Sequence, residues 1–464
     1  MTGVQTCALP ISYLSAYIEY EVGVDNQLYY AETRESEPTS SSTFNNTWNG
    51  LYSTLKSARI IINQCSEGGI DYGNFATKGM AEVLAAYNCA LIADMFGDAP
   101  CSQAALVDEN GSPVYLTPKM DKQEEIYTQA MQYLDDAIAD LQKEDLIDPG
   151  AQDLLYQGDA EKWLKLAYGL KARYTMHLLK RSANKDADME KVLEYVDNSF
   201  ESAEEQAAFD VYDANNINPL YGFFVARAGL GASESMRSKL AEYNDPRLSR
   251  AFITKQGASG KEQAPGTADN AVYAPNGSPE QGTSKYGTSL FMYSISAPTL
   301  LLSYHELKFL EAEALCRLGR DAKSALKDAV VAGLLNAENS FSVSRKELGK
   351  TLINPASSIT DTEAESYFDN TIEAKYTAEP LKTTMIQKYF ALWGASGEAT
   401  ESYNDVRRMK GLGENFIELK NPNSFPLRCP YGNSDTTTNA EVKAAYGNGQ
   451  YVYSENVWWA GGSR

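Results

Sequence analysis

The sequence predicts a mainly α protein, a scaffold of four helix pairs that carries a loop-rich second lobe with few short strands. Two observations predict it. Apolar residues recur at helical spacing in segments that come in pairs. Between the second and third pairs, residues 257–287 hold six Gly and three Pro and few apolar residues, a composition that makes loops rather than helices. With 464 residues, 43% hydrophobic and 22% charged, the chain has an ordinary globular composition and can bury about three quarters of its unfolded surface.

The first pair spans 47–65 and 75–97 and ends at the turn Gly97-Asp98-Ala99-Pro100. Within it, Val83 to Phe96 is apolar but short and interrupted by Asn88 and Asp94, so it reads as a buried helix and not as a membrane span. In the second pair, 122–143 places Ile126, Ala130, Leu134, Ala137 and Leu141 on one stripe, and 161–181 does the same with Trp163, Ala167, Leu170, Tyr174 and His177. The third pair is expected to start at Pro298, a residue suited to a first helical turn, and to run to Gly319 and again from Asp321 to about Leu335. A fourth covers 381–394 and 398–410. Pairs of this length with Ala-rich faces are tetratricopeptide-like. The loop-rich lobe is expected mainly at 205–297 and 412–464, within a single unit from residue 12 onward. Residues 1–11 lack the basic and apolar regions of a signal peptide and are expected to be a non-native start.

The formal net charge of −21 repels phosphate backbones and anionic lipid, which argues against nucleic acid and electrostatic membrane docking. The six cysteines are scattered without a C-x-x-C pair, so no disulfide framework is expected. Tyrosine, at 30 residues, is twice as frequent as phenylalanine at 15. Most of the excess is expected to pack between helices with hydroxyls at the rim, and the remainder suits recognition of something polar and uncharged, such as a sugar.

Catalytic templates fail one by one. His305-Glu306-Leu307-Lys308-Phe309 has Phe where a zinc-protease helix needs its second His. Gly257-Ala258-Ser259-Gly260-Lys261 lacks the spacing of a phosphate loop, and neither Gly231-Ala232-Ser233-Glu234 nor Gly394-Ala395-Ser396-Gly397 is a nucleophile elbow. His177 and His305 lie on apolar stripes and read as core residues. Glu306, Glu311 and Glu313 read as helix-surface ion-pair partners. The basic run Lys162, Lys165, Lys171, Arg173, Lys180 and Arg181 is expected to pair with the protein's own carboxylates, and Arg407-Arg408 to be buried against carboxylates. No catalytic residue, cofactor or metal ligand is nominated.

Six segments in order, 81–105, 158–181, 245–252, 301–319, 386–394 and 403–411, resemble the SusD/RagB family of Bacteroidetes, in particular the branch described as SusD-like, starch-binding associated with the outer membrane. The shared motifs are the Phe96-Gly97-Asp98 turn, Gly158-Asp159 before a Trp-containing basic helix, Ala312-Glu313-Ala314, Gln387-Lys388-Tyr389, Tyr403-Asn404-Asp405 followed by Arg407-Arg408, and the late Pro426-Leu427-Arg428 with Tyr431 and Asn439. The resemblance implies a non-enzymatic surface lipoprotein that binds a glycan or other nutrient and delivers it to a SusC-like TonB-dependent outer-membrane transporter. It also implies a lipid anchor on the intact parent protein, although Cys7 follows no lipoprotein signal. Cys101 stands where the family usually has Tyr.

The shared motifs belong to the scaffold and bring no ligand contacts with them. Those are sought by chemistry: aromatic faces beside amides, on loops held by a rigid frame. Asn215, Asn218 and Tyr221 in segment 212–224, with Tyr273 and Tyr286 in the Gly-rich loop, are the candidates. Two other readings stay open, a polysaccharide hydrolase with an unidentified carboxylate pair and a tetratricopeptide-type interaction scaffold.

Overall fold

The computed structural model describes residues 8–35, 42–256, 261–265, 272–283, 285–349, 352, 355–446 and 451–464. Residues 1–7 of the expected non-native start, and 257–260 and 266–271 of the Gly-rich loop, lie outside them. In chain order the helices are α1 (Ala8–Tyr17), α2 (Asn26–Thr33), α3 (Ser42–Cys65), α4 (Phe75–Phe96), α5 (Gln123–Asp140), α6 (Ala160–His177), α7 (Lys185–Asp197), α8 (Pro219–Arg227), α9 (Glu234–Glu242), α10 (Tyr304–Arg317), α11 (Lys323–Leu348), α12 (Asp361–Tyr367), α13 (Glu373–Ala378), α14 (Pro380–Ala391), α15 (Ala399–Leu412), α16 (Asn433–Thr438) and α17 (Ala440–Tyr446). The strands are β1 (Glu21–Gly23), β2 (Ala207–Phe209), β3 (Leu230–Ala232), β4 (Phe252–Gln256), β5 (Lys261–Pro265), β6 (Thr288–Ser289) and β7 (Thr299–Leu302).

The scaffold is helical and the sheets are small. α3 packs along α4, α6 along α7 and α10 along α11, while α5 lies on α4 and α14 lies on α10 and α11. α4 is long and apolar enough to cross a membrane by composition, yet 89% of that stretch is buried inside the protein. α11 and α14 meet closely because Gly333 has no side chain: a Cβ there would stand 2.7 Å from Ala391 Cβ. The strands form two antiparallel pairs, β1 with β3 and β2 with β7, and a three-stranded sheet with β4 in the middle.

The third pair begins later than Pro298. Residues 299–302 form β7, held on one side by β2 and on the other by Leu300 N–H donating to Ser396 O at 2.9 Å. Partners on both sides hold this Leu-rich run extended. α10 starts after Ser303, whose Oγ accepts from Glu306 N–H at 3.1 Å, a regular N-cap.

Tyrosine behaves differently from expectation in one respect. Many hydroxyls are not at a rim but deep in the core, bonded to main-chain carbonyls or to other buried groups: Tyr389 to Ile18 O at 2.6 Å, Tyr403 to Pro426 O at 2.8 Å and Tyr20 to Ser402 Oγ at 2.6 Å. A buried phenol needs such a partner.

Glu306 and Glu313 are not surface residues. Both are fully buried on α10, and each meets a buried arginine through two hydrogen bonds, Arg173 side-on and Arg408 end-on. Arg173 of α6 donates to the two Glu306 oxygens at 2.8 and 2.5 Å, and Arg408 of α15 to those of Glu313 at 2.6 and 2.7 Å. Arg408 also reaches Asp405 at 2.7 Å, Lys388 of α14 pairs with Asp405 at 2.7 Å, and Arg317 bridges Glu313 and Glu414. Glu311 alone keeps the expected surface role, paired with Lys308 one turn away. The basic run on α6 is largely internal as well: Lys165 pairs with Glu201 and Glu205, Lys171 with Asp135, and Arg181 donates to Trp458 O and Gly462 O.

Beside this network His177 is buried, stacked on Trp459 and placed between two carboxylates. Its Nε2 is 2.9 Å from Glu401, and its Nδ1 is 2.9 Å from the Tyr127 hydroxyl and 3.4 Å from Asp94. The three side chains are close enough to hold a cation, but the two ring nitrogens face different carboxylates. Because the Tyr127 hydroxyl donates its proton to Asp94, it can only accept from Nδ1, so both ring nitrogens donate, the arrangement of a doubly protonated ring between two anions. Burial disfavours its charge, but Asp94 and Glu401 outweigh burial and lift His177 to about 9. Burial likewise raises Glu21 to about 8.

Both shifts act in one direction. Between pH 6.5 and 9 the folded state holds a proton on His177 that the unfolded chain has released, and between pH 4.5 and 8 the same is true of Glu21. The His177 contribution, on the order of 3 kcal/mol, is complete below pH 6.5 and is lost as pH rises through 9. Urea titrations are expected to give a lower unfolding midpoint at about pH 9.5 than at pH 6.5, with a flatter pH dependence in His177→Gln. A midpoint that rises with pH would contradict the assignment.

Candidate functional site

The site is built from the segment that leaves α15. Gly413 ends that helix in the left-handed conformation (φ 81°) and the chain turns back along the loop lobe. Its root is fixed by Arg317, which donates to both Glu414 oxygens at 2.8 Å. Its far end is tied to the N-terminal region: Asn421 N–H donates to Glu19 at 2.6 Å, Asn421 Nδ2 to Glu32 O and Oε1, and Asn423 Nδ2 to Thr33 O at 2.8 Å and Gly277 O at 3.2 Å. Gly277 is required there. It has φ +83°, and a Cβ would stand 2.6 Å from Asn421 Oδ1.

Between these anchors the segment forms the shared wall of two grooves. One, of about 450 Å³, is lined by Arg34, Lys410, Asn415, Glu418, Asn423 and Phe425. The other, of about 360 Å³, is lined by Lys239, Tyr243, Lys375, Thr383, Phe416 and Glu418 among others. Both are in the range of small-ligand clefts. Phe416 and Phe425 are half-buried, so each presents part of a ring to the groove. Among the described residues Asn415 makes no hydrogen bond, and Lys410 makes no ion pair and lies over the Phe425 ring at 5.2 Å. An apolar face beside uncommitted polar groups can stack a sugar ring and bond its hydroxyls.

The expected site residues divide. Tyr273 lines neither groove: its ring meets Phe252 edge-on at 5.1 Å and the Arg237 guanidinium at 5.4 Å, and its loop supplies Gly277 to the anchor of the wall. Tyr286, two residues before β6, is half-buried against Val22, Val24 and Ala274, and its hydroxyl accepts from Glu280 N–H at 2.8 Å. It closes the loop.

Asn218 is a correction. It is buried, its Oδ1 accepts from Leu220 and Tyr221 N–H at 2.8 and 3.3 Å, and its Nδ2 donates to Ala297 O at 2.8 Å. With Pro219 in the first turn, it starts α8 and ties it to the scaffold. Tyr221, one turn on, donates to Glu347 of α11 at 2.8 Å, and burial with that carboxylate pushes its phenol up to about 12. Asn215 is exposed in a turn closed by Asp213. Segment 212–224 is therefore chiefly a scaffold corner.

Phe416, Phe425, Asn415, Asn423 and Lys410 were not foreseen. The signal was present, since 413–425 mixes Phe with Asn-Pro-Asn just as 212–224 mixes Tyr with Asn-Pro. A third cleft, of about 510 Å³ under Trp458, is less suited. Its polar groups are already engaged: Arg181 on main-chain carbonyls, Ser182 on Asp188 and Gln132 on Asp136.

Residues 15–431 match the sequence profile of the SusD-like family described as starch-binding associating with outer membrane. The chain belongs to this SusD-like family. The family is one of binding proteins, and its description places it at the outer membrane. The chain is similar to a SusD/RagB family protein of Bacteroides thetaiotaomicron VPI-5482, with 65% identity and a TM-score of 0.93 over 100% of both chains. It shares its fold with a chitin-binding protein (20% identity, TM-score 0.74, covering 99% of this chain and 96% of that one). It also shares it with a chitin-binding SusD homolog of Flavobacterium johnsoniae (18%, 0.67, 99% and 98%). Comparison with curated proteins finds no match.

Asn218→Ala removes a helix cap and a buried hydrogen bond, so it is expected to lower stability by about 2 kcal/mol while leaving oligosaccharide affinity unchanged. Weaker sugar binding in a variant of normal stability would return Asn218 to the site.

Proposed function

We propose that the protein binds a glycan at the cell surface in the paired grooves beside residues 413–425, without catalysis, and passes it to a partner SusC-like TonB-dependent outer-membrane transporter. The intact parent is held at the membrane by a lipid anchor. The observation that carries the binding site is the combination, on and beside one braced segment, of two half-buried phenyl faces with the Asn415 amide, which makes no hydrogen bond among the described residues, and the Lys410 ammonium at the end of α15, which lies over the Phe425 ring and makes no ion pair among them. Membership of a family described as starch-binding, and the chitin-binding relatives that share the fold, support a saccharide as the ligand.

Calorimetric titration with soluble malto- and chito-oligosaccharides tests this reading. Phe425→Ala and Phe416→Ala are each expected to lower affinity roughly tenfold, the loss of about 1.4 kcal/mol of stacking and buried area. Unchanged affinity in both phenylalanine variants would remove the site, and release of reducing ends during incubation would replace a binding protein with a hydrolase.

A further inference from the structure

We propose, resting on that reading, that the groove beside Arg34 takes an acidic sugar, with Arg34 and Lys410 receiving the carboxylate of a uronic acid residue. Arg34 is only 7% exposed. Among the described residues its guanidinium donates only to main-chain carbonyls, Tyr17 O at 3.1 Å and Ser424 O at 3.5 Å, it lies over the Tyr17 ring at 5.8 Å, and its buried Nε has no hydrogen-bond partner. It projects from the residue that ends α2 in the left-handed conformation (φ 51°), an unusual place for a large side chain. The second cation, Lys410, shares the groove and is likewise without an ion pair among the described residues.

Two cations placed together without a carboxylate between them repel one another, and a buried guanidinium favours a planar, two-oxygen partner. Burial and the Arg34 charge lower the proton affinity of Lys410, and the Glu19 charge opposes them only in part. Two of the three acidic groups nearby are committed elsewhere. Glu32 lies behind the groove and is occupied by Gly277 N–H and Asn421 Nδ2; burial, opposed by Arg34, raises it to about 7, so near neutral pH it offers only part of a charge. Glu19 accepts from Asn421 N–H and pairs with Lys239 at 3.5 Å. The third, Glu418, lines this groove as well as the other one, exposed to solvent, where water screens its charge. The groove floor is thus a positive spot in a protein of net charge −21. A carboxylate there would sit between Arg34 and Lys410, with the sugar ring over Phe425 and its hydroxyls toward Asn415.

The test compares a short oligogalacturonide with its fully methyl-esterified form, which keeps the rings and removes the charge. Calorimetry at low salt is expected to give roughly tenfold tighter binding of the acid. That advantage should shrink at high salt, and Lys410→Gln should reduce the ratio of acid to ester affinity. Equal binding of acid and ester, or tighter binding of the ester, would overturn the inference and leave the glycan-binding reading standing. Tighter binding of a sulfated oligosaccharide than of the uronate would overturn the carboxylate assignment. Absence of binding by every acidic, esterified and neutral oligosaccharide would overturn both.

Discussion

The pair Arg408–Glu313 is the interaction on which the rest of the structure depends. It joins α15 to α10 with no exposure to solvent at either side chain, and each partner extends to a third group, Asp405 on one side and Arg317 on the other. Burying charges in this way gives little net stability compared with an apolar core. Its consequence is specificity: once the carboxylates and guanidiniums are inside, only one arrangement of helices satisfies them, and removing a single partner leaves an uncompensated charge. Arg173–Glu306 and the His177 bridge repeat the device between α6, α10, α15 and the end of α4.

The network also sets where ligand chemistry is possible. Arg317 holds Glu313 with one edge of its guanidinium and Glu414 with the other, so the segment that walls both grooves is rooted directly in the buried charges. Its other end is anchored by Glu19 and Glu32 from the beginning of the chain. A loop fixed at both ends keeps its phenyl rings and amides in place before any ligand arrives, which lowers the ordering cost of binding. The scaffold and the site are therefore one mechanical unit, although they differ in composition.

Much of the fold was legible in the sequence because apolar periodicity marks α4, α5, α6, α10 and α11 directly. Other parts were hidden for physical reasons. β7 is a Leu-rich run whose extended shape comes from two neighbours, Ala207–Phe209 and Ser396, that periodicity does not register. Glu306 and Glu313 read as surface residues because a charge in sequence looks exposed until its partner is known, and Arg173 lies 133 positions from Glu306. The site was hidden more deeply. Asn218 and Asn423 have the same side chain and similar neighbours; one is spent on capping a helix, and the other anchors a groove wall through contacts with residues near the chain's start. The Asn421 bond to Glu19 spans 402 positions, and no local pattern announces it.

The central claim, that buried ion pairs specify the frame, is tested most directly by a double-mutant cycle on Arg408→Met and Glu313→Gln, read from urea unfolding at neutral pH. The account expects each single variant to lose about 3 kcal/mol or more, because it strands a buried charge, and the double variant to recover at least about 2 kcal/mol of the summed loss. Losses that simply add, with a coupling energy below about 0.5 kcal/mol, would show that the pair does not hold the frame and would contradict the account.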